Sequence, residues 1–123
     1  MSPTTADRGS ATLWSVALMA LLMIAATAIT TIGTARVARH RAQTSADLSA
    51  LAAAKLAIAN PDEACRAAKR IAEANQAKLA TCTLAAEMVD VDTTVRITLP
   101  AIGERTITAH ARAGPTRIGP LRP

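Results

Sequence analysis

Phenylalanine and tyrosine are absent from these 123 residues, and a single tryptophan, Trp14, is the whole aromatic content. A core without aromatic rings buries little apolar area per residue. A nucleic-acid surface without stacking residues lacks its usual platform, and the cations are spread along the chain despite a formal charge of +5. No nucleic-acid partner is expected. Two histidines, His40 and His110, have no cysteine or carboxylate at ligand spacing, and Cys65 and Cys82 are too few for a closed zinc site. The five glycines form no phosphate-cradling loop. Ser10, Ser15, Ser45 and Ser49 lack the turn context of an activated nucleophile. These absences leave no catalytic set, so the expectation is a non-enzyme with no cofactor and no metal.

Charge is missing too, and here the absence is informative. Between Arg8 and Arg36 run 27 residues, Gly9 to Ala35, without one charged side chain. About 20 apolar residues suffice to cross the hydrocarbon core of a bilayer, so residues 10–35 are expected to form a transmembrane helix. Trp14 stands near one end, where an amphipathic ring favours the interface. Arg36, Arg39 and Arg41, with His40, follow the other end as a headgroup-level flank open to anionic lipid. Thr27, Thr30, Thr31 and Thr34 can bond back to carbonyls one turn earlier, so they need not break the helix.

Helical character then continues to residue 59 without proline or glycine from Ala35 onward. Leu48, Leu51 and Ile58, with Val37 and Thr44, make a narrow seam at three- and four-residue spacing. So slim a stripe suits a neighbouring helix better than a large core. Unbroken, the helix would measure roughly 70 Å.

Asn60-Pro61-Asp62-Glu63 places a cap, a proline at the first helical position and a glutamate three residues after the cap. A second helix is therefore expected to about Lys78, with Ala64, Ala68, Ile71, Ala72, Asn75 and Leu79 inward. Beyond Cys82 the period becomes two: Val89, Val91, Val95, Ile97 and Leu99 share one parity, and Ile107, Ala109 and Ala111 share another run. Asp92-Thr93-Thr94 reads either as a turn or as continuous strand, and Pro100 to Gly103 as a turn. The fold class expected is α+β: a long N-terminal transmembrane and stalk helix, then a short helix packed on a two- or three-stranded antiparallel sheet. The corresponding divisions are a leader at 1–9, the span at 10–35, a continued stalk at 36–59, a small head at 60–113 and a disordered tail at 114–123.

Setting aside the apolar segment and the tail leaves about 80 residues, a size at which a staple or a partner is usually needed. Cys65 and Cys82 are either a disulfide, suited to an oxidising compartment, or two unrelated thiols.

The run Arg41-Ala42-Gln43-Thr44-Ser45-Ala46-Asp47-Leu48-Ser49-Ala50-Leu51-Ala52-Ala53-Ala54 resembles the signature of TadE/TadG-like proteins of the tight-adherence (Flp) pilus system, a pilin-like family. The leader Asp7 to Thr12, the cysteine pair, Asp90 to Val95 and Ala111 to Pro115 are similar to the short actinobacterial members found beside secretion ATPase genes. The resemblance implies a membrane-anchored, pseudopilin-like component of a Tad-type pilus or secretion apparatus. Its partners would be the bilayer, sibling pilin-like subunits, an assembly platform and a prepilin peptidase. That aspartic protease would cut at Gly9–Ser10. Gln43, Asp47, Leu48 and Leu51 would be the family's packing residues. Trp14 stands where pilins carry the glutamate that neutralises a neighbour's new amino terminus, which points to an initiating, tip or membrane-assembly role.

Orientation is contested. Arg36, Arg39 and Arg41 against Arg8 favour a cytoplasmic head by the positive-inside rule. The resemblance and the cysteine pair favour an extracytoplasmic head on a single-pass anchor, which is the expectation adopted. The alternative is a secreted soluble binding protein or effector: Ala26-Thr27-Ala28 offers a signal-peptidase site that would release a chain beginning at Ile29.

Overall fold

The computed structural model describes residues 9–115. The leader up to Arg8, and the tail from residue 116 with Gly119-Pro120, lie outside the described residues. Within them the element order is α1 (Ser10–Leu56), α2 (Pro61–Ala74), β1 (Lys78–Ala85), β2 (Met88–Leu99) and β3 (Gly103–Ala113). The α+β class is as expected, and the sheet has three strands in the order β1-β2-β3, antiparallel throughout.

Helix α1 runs unbroken for 47 residues, or roughly 70 Å. The hydroxyls of Thr27, Thr30, Thr31 and Thr34 donate to the carbonyls of Met23, Ala26, Thr27 and Thr30 at 2.8 to 2.9 Å. They are thereby satisfied within the helix, and Gly33 does not interrupt it. The helix ends at Leu56, a turn earlier than its composition allows, because Ala57 to Ala59 form the turn into α2. Asn60 caps α2 as expected, its side chain accepting from the Glu63 amide, with Pro61 at the first position. Helix α2 stops at Ala74 rather than near Lys78. Gln76 takes a left-handed conformation at φ 59°, and strand pairing claims Lys78 and Leu79. Ala64, Ala68 and Ala72 face inward, joined by Ala67; Ile71 and Asn75 are half-buried, and Leu79 belongs to the sheet.

Strand β2 runs straight through Asp92-Thr93-Thr94, so the turn alternative falls away. Val89, Val91, Thr93 and Val95 alternate inward, as do Ala109, Ala111 and Ala113 of β3. The layer covering them is mainly the distal half of α1, which lies over β2 and β3, while α2 covers β1. The second helix packs on the sheet as expected, at β1, and α1 joins it in covering the rest. The α1 face in contact carries Ala38, Ala42, Ser45, Ala46, Ser49, Ala50 and Ala53, all buried. Among the described residues the largest fully buried side chains are Val89, Val91, Thr93, Ser45 and Ser49. Such small side chains let helix and sheet backbones approach closely, and Thr93 Oγ1 donates to the Ala42 carbonyl at 2.9 Å.

Cys65 of α2 and Cys82 of β1 form a disulfide, with Cα atoms 5.9 Å apart. A one-residue irregularity between Leu79 and Thr81 makes this geometry available. Leu79 faces inward, and strict alternation from it would turn Cys82 toward solvent. The extra residue restores Cys82 and Leu84 to the inner face, opposite Val91 and Val89.

Replacing both cysteines, Cys65→Ser with Cys82→Ser, is expected to lower the stability of the head by about 3 kcal/mol for a loop of this length. Hydrogen exchange of the β1 and β2 amides measures it. Ala42→Leu overfills the helix–sheet contact and is expected to cost roughly 1–3 kcal/mol by the same measurement, whereas Leu48→Ala on the opposite side leaves the head's stability within about 0.5 kcal/mol.

Candidate functional site

Helix α1 has two faces of opposite character. The small residues Ala38, Ala42, Ala46 and Ala50, at a strict spacing of four, are buried against the sheet. The large ones point away: Leu48 is 44% exposed and Leu51 is 55% exposed, and Val37 lies on the same side. Ile58, in the turn after the helix, is also exposed. The seam read from the sequence is therefore outside the head and exposed. Toward the N-terminus every large apolar side chain from Leu13 to Ile32 is exposed. This is the one helix among the described residues that is long and apolar enough to cross a membrane.

Gln43 and Asp47, adjacent in the family-like run, sit at the boundary between these faces. Gln43 Nε2 donates to Asp47 Oδ1 at 3.0 Å and to the His110 carbonyl at 3.3 Å. Strand β3 is an edge of the sheet, and this bond ties it to α1 at His110. Arg41 Nη1 donates to Gln76 Oε1 at 2.9 Å, fixing the turn between α2 and β1. The four motif residues thus divide. Gln43, held by Asp47, bonds to the head, while Leu48 and Leu51 are exposed on the side away from it. The sequence seam missed the Ala38-Ala42-Ala46-Ala50 row, although its four-residue repeat of alanine was a legible signal.

Gly9 stands at the N-cap of α1, and among the described residues no atom beyond its chain neighbours lies within 4 Å of the position its Cβ would take. Ser10 begins the helix, and both residues are exposed.

The solvent face of the sheet carries a polar cluster that the sequence showed only as alternation. Arg112 Nε and Nη2 donate to Asp90 at 2.6 and 3.1 Å. His110 Nδ1 lies 2.7 Å from Asp92 Oδ1, and Thr81 Oγ1 donates to Asp92 Oδ2 at 2.6 Å. Register places these groups opposite one another across all three strands: Asp90 with Arg112, Asp92 with His110, and Thr81 with Asp92. The Arg112 guanidinium holds the Asp90 carboxyl below its ordinary value against a smaller desolvation cost, and Asp90 raises Arg112 in return. The Thr81 hydroxyl, then His110, lowers Asp92. No group of three ligands able to hold a metal occurs among the described residues. The cluster is a cross-strand brace.

Both aspartates ionise more readily in the folded head than unfolded, so their contribution is complete above the ordinary aspartate value of 3.8 and is lost as pH falls through the lower folded values. Protection of the β2 and β3 amides is expected to hold from neutral pH down to that point and decline below it. Asp90→Asn with Asp92→Asn should flatten the decline.

Residues 9–56 match the family model described as "Putative Flp pilus-assembly TadE/G-like". No curated protein and no solved structure matches the chain.

Proposed function

We propose that this chain, whose residues 9–56 match the TadE/G-like Flp pilus-assembly family model, is a membrane-anchored, pilin-like structural subunit of a pilus apparatus. It assembles with sibling subunits through α1. The observation that carries this is the division of that helix: its alanine face is consumed by the chain's own head, while Leu48, Leu51 and the whole apolar N-terminal half remain uncovered. A large apolar surface left outside a folded unit marks an interaction site, and here it lies on both sides of the basic belt at Arg36 to Arg41: a bilayer-length segment before it, Leu48 and Leu51 after it. Residues 10–35 are taken as the span, and the assembly platform receives the subunit there.

The head is placed on the extracytoplasmic side, because the Cys65–Cys82 disulfide belongs to an oxidising compartment. A prepilin peptidase is the enzyme proposed to cut Gly9–Ser10, where the chain is exposed at the start of α1. Trp14 in place of the pilin glutamate assigns the subunit to initiation, a tip or membrane assembly. A second arrangement has one observation in its favour. The buried residues of α1 begin at Ala38, so cleavage after Ala28 would leave the head's core whole and release a soluble protein.

Sequencing the amino terminus of the protein from cells separates these: Ser10 is expected, Met1 or Ser2 would leave an anchored but unprocessed subunit, and Ile29 would mean secretion. Leu48→Asp and Leu51→Asp are each expected to reduce recovery of sibling pilin-like subunits by roughly tenfold or more, with the head's hydrogen-exchange protection unchanged. A chain that stays monomeric in the membrane, in an apparatus that assembles without it, would sink the proposal.

A further inference from the structure

The turn between β2 and β3 carries one glycine, Gly103 at φ 87°, and is otherwise apolar, with none of the asparagine, aspartate or serine usual in a water-facing hairpin. Its sequence is Leu99-Pro100-Ala101-Ile102-Gly103. Ile102 is 50% exposed, and Ala101 takes a left-handed conformation at φ 64° that glycine adopts more cheaply. The hairpin also reaches far along α1. Thr93 is fixed beside Ala42 by its hydrogen bond, and from Thr93 to Leu99 a strand advances roughly 20 Å. That distance corresponds to about 13 residues of helix, which brings the tip level with about residue 29 of α1. The side chains agree: Pro100, Ala101 and Ile102 face Met23, Ile24, Thr27, Ala28, Thr31 and Ile32 across an open, apolar groove of about 560 Å³.

Those α1 residues lie inside the segment read as the membrane span, so the tip is at membrane depth. The charges are ordered to match. Arg36, Arg39 and Arg41 stand on α1 above the groove, and Arg96 and Arg105 flank the hairpin a few residues back from the turn. Glu104, the acid nearest the turn, is paired to Arg96 at 3.1 Å. From the level of Arg36 the tip lies roughly 10 Å deeper along the helix.

We propose that the β2–β3 turn is a second membrane contact: Leu99 to Ile102 enter the leaflet on the head's side beside α1, lipid acyl chains fill the groove between them, and the arginines meet the headgroups. The contact rests on the membrane-anchored reading and deepens it. It gives the head two points of attachment, so the head stands at one angle to the bilayer instead of swivelling on a single helix.

The test uses the full, unmodified chain in phosphatidylcholine/phosphatidylglycerol vesicles containing a lipid with a photoactivatable diazirine in its acyl chain. Trypsin then yields Gly9–Arg36 from the span, Ile97–Arg105 with the whole turn, and Thr106–Arg112 from the adjoining strand. Labelling is expected in the first two and not the third. Ile102→Asp is expected to reduce labelling of the turn peptide by about tenfold, since a carboxylate is costly among acyl chains, and to leave Gly9–Arg36 labelled as before. Label on Gly9–Arg36 but not on Ile97–Arg105 overturns the second contact alone, and places the turn in water or against another subunit. Equal label on Thr106–Arg112 also overturns it, because the head would then lie on the bilayer without a dipping tip. Label on neither Gly9–Arg36 nor Ile97–Arg105 removes the anchored reading along with it.

Discussion

The close approach of an alanine-faced helix to a valine-faced sheet is the contact on which everything else in this protein depends. With Ala38, Ala42, Ala46, Ala50 and Ala53 on one side and Val89, Val91 and Val95 on the other, each residue buries little area, so stability has to come from length and closeness. The contact accordingly extends over the whole distal half of α1, and it is near enough for a strand hydroxyl, Thr93, to reach a helix carbonyl. The disulfide and the Gln43 clamp sit at the two edges of the same sheet. A core this thin gains most from a cross-link and from a tied edge.

That contact also explains why the large side chains are outside. An ordinary amphipathic helix turns its leucines to the core and its small or polar residues to water. Here α1 does the reverse around the head, and over its N-terminal half it is apolar all round. A helix of that kind is stable only with lipid or other helices about it, and it is the segment that residues 9–56 share with the Flp pilus-assembly family model. The match ends where α1 ends, and the strand-rich head beyond it is held on by the alanine face, the Thr93 and Gln43 hydrogen bonds and what α2 contributes.

Much of the fold was legible in the residues. The Asn60-Pro61-Asp62-Glu63 cap, the alternation of β2 and β3, the Pro100–Gly103 turn and the length of α1 all follow from local rules of capping, parity and turn chemistry. The misjudged boundaries have physical causes. Helix α2 carries helix-forming residues past Ala74, but pairing of Lys78 and Leu79 with Thr94 and Thr93 draws them into a strand. The irregularity near Ala80 left no mark in the pattern, yet it decides that Cys82 faces Cys65. The leucine seam was visible, but which α1 face the head would choose was not: hydrophobicity alone favours leucine, and shape against the valine sheet favours alanine. The polar cluster of Asp90, Asp92, His110 and Arg112 was hidden because cross-strand register is not written in either strand.

By itself the sequence determined the uncharged 27-residue stretch, the capped second helix, the strand parity and the family-like run from Arg41 to Ala54, because each depends on residues near one another in the chain. Only the tertiary structure decided which face of α1 is buried and which is exposed, that the cysteines are bridged, and that the β2–β3 turn lies beside Met23 to Ile32. Those outcomes depend on how far a strand advances along a helix it packs against, a distance set by the register between elements that are remote in sequence.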